Sequence, residues 1–118
     1  MVGRVDAILL LQDNTVASAL PALLKITNEH QIPVFSTYVD AVKDGAVAGL
    51  AFDEYAIGEQ TGKMVVKVLK GAKAGELPVE DPTRFELMFN LDAARKLHIK
   101  INDDLIKTAD HIYQATAG

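Results

Sequence analysis

Asp13-Asn14-Thr15 places a carboxylate, a carboxamide and a hydroxyl in consecutive positions, directly after an aliphatic run and directly before a helical pattern. A helix start presents unpaired N–H groups and a partial positive charge, so this run suits a small carboxylate ligand. The same residue types are the usual helix caps. Local sequence leaves both readings open: a cap, or a cap that touches a ligand. Tyr38 and Asp40 form a second candidate group. They are either a ring that stacks on a ligand and a charge that pairs with an ammonium group, or a loop tyrosine and an N-cap. Asp53, ahead of the longest helical pattern, reads as a cap.

Other chemistry finds little support. His30, His98 and His111 lack metal-ligand spacing such as HxxxH, so no metal site is expected. Ser18 and Ser36 have no partner that suggests a nucleophile with a base, and no GxSxG motif or glycine-rich phosphate loop is present. Asp103-Asp104 reads as the acidic first turn of a helix rather than a catalytic pair. Nothing in these residues requires an enzyme or a cofactor.

The elements that must position these residues follow from periodicity. Val5–Leu11 is an aliphatic run that suits a parallel strand covered on both faces. From Thr15 the apolar residues fall at helical spacing as far as His30, and Pro21 predicts a bend. Val34–Tyr38 reads as a second strand, Val39–Lys43 as a short helix closed by Gly45, and Ala46–Phe52 as a third strand. The next helix runs to about Lys70, with Ile57, Thr61, Met64, Val65 and Val68 on its inner face. After a linker-like stretch rich in Gly and Pro come a strand over Arg84–Phe89, a helix over Leu91–Leu97, and a last helix capped by Asn102 and running through Tyr113.

The order β-α-β-α-β-α-loop-β-α-α argues for an α/β fold with an open, mainly parallel sheet and flanking helices. In such sheets ligands sit beyond the carboxyl ends of the strands, which points to Gln12–Thr15 and Ser36–Asp40. The 118 residues are 49% hydrophobic, enough to fill a core. A net charge of -4, with both signs interspersed, leaves no footprint for nucleic acid. With no cysteine, disulfides and thiol chemistry are excluded. The longest aliphatic run, Ala7–Leu11, is far below the ~20 residues that cross a bilayer. Met1-Val2-Gly3-Arg4 leads straight into a strand without the pattern of a signal peptide.

Several runs together resemble the ABC-transporter solute-binding proteins of the tryptophan/tyrosine type: VDAILLLQDNTVASALPALLK from Val5, IPVFSTYVDAVKDGAVAGLAFDEYAIGEQTGKMVVKVLKG from Ile32, LPVE from Leu77 and FNLDAARKLHIKI from Phe89. The resemblance implies a two-lobed, periplasmic-binding-protein-like (type I) fold with its ligand in the cleft between lobes. It implies that residues 1–51 are the second half of the carboxyl-terminal lobe. Residues 52–113 would be the return segment and terminal helices crossing between lobes, and residues 114–118 a tail. By motif, Asp13, Asn14 and Thr15 match a cleft-lining run and Asp40 an acidic position after the following strand. Tyr38 stands where the pattern often has an acidic residue.

The implied function is capture of a small solute, an amino acid among the candidates, for the membrane permease of an ABC importer. Asn14, Thr15 and the helix-start amides would face a carboxylate, Asp40 an amine and Tyr38 the apolar part. The parent protein would be periplasmic or otherwise extracytoplasmic, anchored as a lipoprotein, and this chain alone would pair as a homodimer. The alternatives are the sensory domain of a repressor-type regulator and a stand-alone flavodoxin-like interaction domain.

Overall fold

A computed structural model of the chain describes residues 2–114, so all of the expected tail at 114–118 except Gln114 lies outside the described residues. Five strands form one sheet in the order β1-β2-β3-β4-β5: β1 Ile8–Leu10, β2 Val34–Ser36, β3 Ala48–Phe52, β4 Phe85–Asn90 and β5 His111–Tyr113. The pairs β1–β2, β2–β3 and β4–β5 are parallel. Asn90 N donates to Val47 O and Asp53 N to Arg84 O, so residue numbers rise along β3 as they fall along β4, and this pair is antiparallel. The sheet is mixed and mainly parallel.

The chain divides into two compact units, Met1–Ala51 with Glu86–Gly118, and Phe52–Phe85. In the first, helices α1 (Asn14–Ser18), α2 (Leu20–Glu29) and α3 (Val39–Asp44) connect the first three strands. Leu10, Val34, Ala51 and Met88 from the sheet pack with Leu20, Leu24, Ala41 and Val42 in the main core. A smaller cluster joins Val47 to Ala93, Ala94 and Leu97 of the segment that begins with α5 (Leu91–Lys96). Gly49 shows how closely α3 lies on the sheet, because a Cβ there would meet Val42 Cγ2 at 2.6 Å and Ser36 O at 2.7 Å.

Asn90 ties the end of β4 to two helices. Its Nδ2 donates to Val42 O at 2.8 Å, and its Oδ1 accepts from Ala93 N at 3.0 Å as the cap of α5. Both halves of a buried carboxamide are thereby satisfied.

The second unit holds α4 (Glu54–Leu69), a 3-10 turn at Ala74–Glu76 and the return to Phe85. Asp53 caps α4 by accepting from Ala56 N, and lies 3.6 Å from Arg84 Nε. The Phe52 and Phe85 rings pack with centroids 5.1 Å apart.

Four expectations are corrected. Pro21 does more than bend one helix: with no N–H to donate, it sits in the first turn of a separate helix, and Ala19 breaks the run between α1 and α2. The last helix does not reach Tyr113. After α6 (Asp103–Thr108) the chain forms β5, because pairing with Met88–Asn90 supplies backbone partners that local sequence does not announce. The expected inner face of α4 is present as a stripe, yet no residue of α4 is buried. Finally, β1 is covered on one face among the described residues. Leu9, Phe35 and Leu50 alternate onto the other face at 64%, 37% and 54% exposure, since α2 and α3 both pack on the side of Leu10.

Candidate functional site

The carboxyl ends of β1 and β2 lie side by side. Thr37 N donates to Leu10 O at 3.1 Å, and this bond extends the ladder past the last paired residues. Directly beyond the two strands lies a cavity of about 300 Å³, lined by Gln12, Asp13, Asn14, Ala17, Leu20, Tyr38, Asp40 and Asp44. This is where ligands collect in open α/β sheets.

The structure therefore brings Asp13, Asn14, Tyr38 and Asp40 into one wall, as the two strand ends suggested. Thr15 is not part of it. Its backbone N–H points to Asp13 Oδ1 at 2.7 Å, and its carbonyl accepts from Ser18 Oγ. Asp13 is both cap and wall: the same Oδ1 also accepts from Val16 N at 3.2 Å, while Ala17 N donates to Asp13 O. Of the helix-start amides, those of Thr15 and Val16 are engaged by Asp13. The side-chain amides of Gln12 and Asn14 are donors on this wall.

Tyr38 occupies the N-cap position of α3 without capping it through its side chain, and Asp40 lies in the first turn rather than at the cap. A serine turn orients the tyrosine: Ser36 Oγ accepts from Tyr38 N at 3.1 Å and donates to Tyr38 O at 3.3 Å. The phenolic oxygen is buried and has no hydrogen-bond partner among the described residues. Such a group costs about 1–3 kcal/mol when left unsatisfied. Burial raises the phenol pKa above its ordinary 10.0, and the negative charges of Asp44 and Asp40 raise it further. The charge of Asp40 also reaches Tyr113 on β5, whose phenol is raised by burial first, then by Glu86 and Asp40.

Gln12 belongs to the Gln12–Thr15 stretch that topology pointed to, while sequence reading passed over Ala17, Leu20 and Asp44. Asp44 alone carried a signal, since it follows Asp40 by four residues and so shares its helix face. The wall has three carboxylates, two carboxamides, one phenol and no basic side chain. It is built to accept hydrogen bonds from a donor-rich or cationic group and to offer amides to an acceptor. Among the described residues no group of three or more His, Cys, Asp or Glu could hold a metal ion.

A model of the family described as ABC transporter substrate binding protein matches residues 1–113, and the chain belongs to that family. A tyrosine-binding protein of Clostridioides difficile (strain R20291) is 31% identical over 108 residues, which is 91% of this chain and 31% of that protein. An uncharacterized protein of Rickettsia prowazekii (strain Madrid E) is 26% identical over 85% of this chain and 33% of its own length. This chain thus spans about a third of the curated relatives it matches.

Solved structures agree. An ABC domain from Streptococcus pneumonia in complex with L-Trp superposes with a TM-score of 0.83 at 32% identity, covering 94% of this chain and 38% of that one. A conserved domain protein from Vibrio cholerae gives 0.80 at 37% identity, covering 91% and 36%. The ligand-free, open structure of a substrate binding protein with adhesive properties from Clostridium difficile gives 0.75 at 28% identity, covering 97% and 38%.

Proposed function

We propose that the gene-encoded protein captures a small amino-acid-like solute for an ABC importer, and that the cavity beyond β1 and β2 is one wall of its binding site. The observation that carries this is the convergence of Asp13, Asn14, Tyr38 and Asp40 on one cavity at the strand ends, in a chain of this family. Names of relatives that bind tyrosine or were solved with L-Trp support an aromatic amino acid as the solute. In this reading Asp40 faces the amine, Asn14 the carboxylate and Tyr38 the ring. Binding is the whole activity, without turnover. The site of action is extracytoplasmic, and the partner that receives the solute is the importer's permease.

Isothermal titration with L-tyrosine and L-tryptophan tests the reading. Asn14→Ala and Asp40→Ala are each expected to weaken binding by about tenfold or more, the scale of a hydrogen bond to a charged group. Unchanged affinity in both variants would remove this cavity from the site.

The exposed face of Leu9, Phe35 and Leu50 favours a further reading of the 118-residue chain alone, self-association as a homodimer that covers the bare sheet.

A further inference from the structure

We infer that a basic-rimmed groove beside α5 is an interaction surface for a second copy of this chain, and that it takes the exposed Val79-Glu80-Asp81 segment of that copy. The groove measures about 520 Å³ and lies within the first unit. Leu91, Ile99 and Ile106 give it a half-buried apolar floor, the exposed Arg95, His98 and Lys100 form its rim, and no carboxylate lines it. Asp92, 3.8 Å from Arg95, stays outside the lining. Such a surface stands apart in a chain whose net charge is -4. The backbone at the rim points the same way. After α5, His98 N donates to Arg95 O at 3.1 Å and Ile99 N to Ala94 O at 2.8 Å, with His98 at a φ of 58°. Glycine suits that left-handed position. A histidine keeps the strain and sets an imidazole at the edge of the groove, and backbone strain collects where a surface is used.

Charge complementarity identifies the occupant. Between Lys73 and Arg84 the second unit has no basic residue, while Glu76, Glu80 and Asp81 are all exposed. Val79 is 94% exposed, the highest value for a large apolar side chain among the described residues. The segment is also preset. Gln60 Nε2 donates to Glu80 Oε1 at 3.3 Å and to Asp81 O at 3.1 Å, and Pro78 and Pro82 restrict the chain on either side. Little conformational freedom is then lost on docking. An apolar knob followed by two carboxylates matches an apolar floor with a cationic rim. An anionic membrane fits less well, because it would also meet the net charge of -4 and the exposed Asp103 and Asp104 of α6, the helix that supplies Ile106. Each copy carries both halves, so a two-fold pair makes the contact twice.

Sedimentation equilibrium of the 118-residue chain, from about 0.01 to about 1 mM, tests this. Association is expected to weaken at least about tenfold between about 0.05 and about 0.5 M salt, as a contact between exposed charges requires. Val79→Ser, Asp81→Lys and Lys100→Glu should each weaken it by about tenfold at low salt. A mixture of Asp81→Lys with Lys100→Glu should recover it, because every changed charge then meets its opposite, and recovery on mixing is a result that misfolded variants would not give. A monomer at every concentration, or single variants that do not recover on mixing, would overturn the inference. Association indifferent to salt and to all three substitutions would also overturn it and leave the bare sheet as the contact. Binding to phosphatidylglycerol vesicles that Lys100→Glu abolishes, without association between copies, would overturn it in favour of a lipid surface. None of these results bears on solute capture.

Discussion

At the scale of single residues, the molecule separates groups that hold the fold from groups left without partners. Asn90 belongs to the first kind, and it fell between the strand expected over Arg84–Phe89 and the helix expected from Leu91. Its bond to Val42 O spans 48 positions, which no local pattern encodes. Asn90→Ala should cost about 2–3 kcal/mol in chemical denaturation, because a buried carbonyl loses its donor and α5 loses its cap. A loss of a few tenths would contradict that role. Tyr38 belongs to the second kind. Tyr38→Phe should leave stability level or raise it by about 1 kcal/mol, since the removed hydroxyl makes no hydrogen bond.

The raised phenols of Tyr38 and Tyr113 also set a pH dependence. Below the ordinary value of 10.0 both are protonated in either state, and their share of stability is complete. As pH rises through the raised folded values, the unfolded chain has already released its protons, so stability falls. Denaturation midpoints measured from about pH 9 to about pH 11 should drop less steeply in the double variant Tyr38→Phe, Tyr113→Phe. Equal slopes would show that neither burial nor the nearby carboxylates act on these rings.

At the scale of elements, helix starts were readable because caps are local. Asp13, Asp53 and Asn102 all accept from amides of the turns they begin. Asp53→Ala should therefore destabilise the start of α4 by about 1 kcal/mol, visible as faster amide exchange at Ala56 and Ile57. No change in exchange there would mean that the cap is idle. Helix ends and short strands were less readable. Asn102 announces α6, yet nothing nearby announces its stop at Thr108. His111–Tyr113 becomes a strand because β4 offers an edge and because Asp110 accepts from Leu87 N at 2.8 Å, both non-local facts. The break at Ala19 came from the same limit, since Pro21 predicts disruption without saying whether a helix bends or restarts. For the site, the two strand ends were legible from topology alone. Ala17 and Leu20 were not, because folding of α1 and α2 against the strand ends brings these apolar residues to the wall, and Asp44 was marked only by its spacing from Asp40.

At the scale of the whole molecule, the exposed sheet face and the unburied α4 are surfaces with apolar character and no described cover. The 118-residue chain is expected to self-associate, with light scattering showing a mass that rises toward twice the monomer as concentration increases. A monomer over a wide range would contradict this. The central claim is that the cavity beyond β1 and β2 holds solute. A crystal structure of the gene-encoded protein grown with L-tyrosine or L-tryptophan tests it most directly. The amine is predicted to lie within hydrogen-bond distance of Asp40, with the solute against Tyr38 and Asn14. Ligand density on other residues, with this cavity holding only water, would contradict the account.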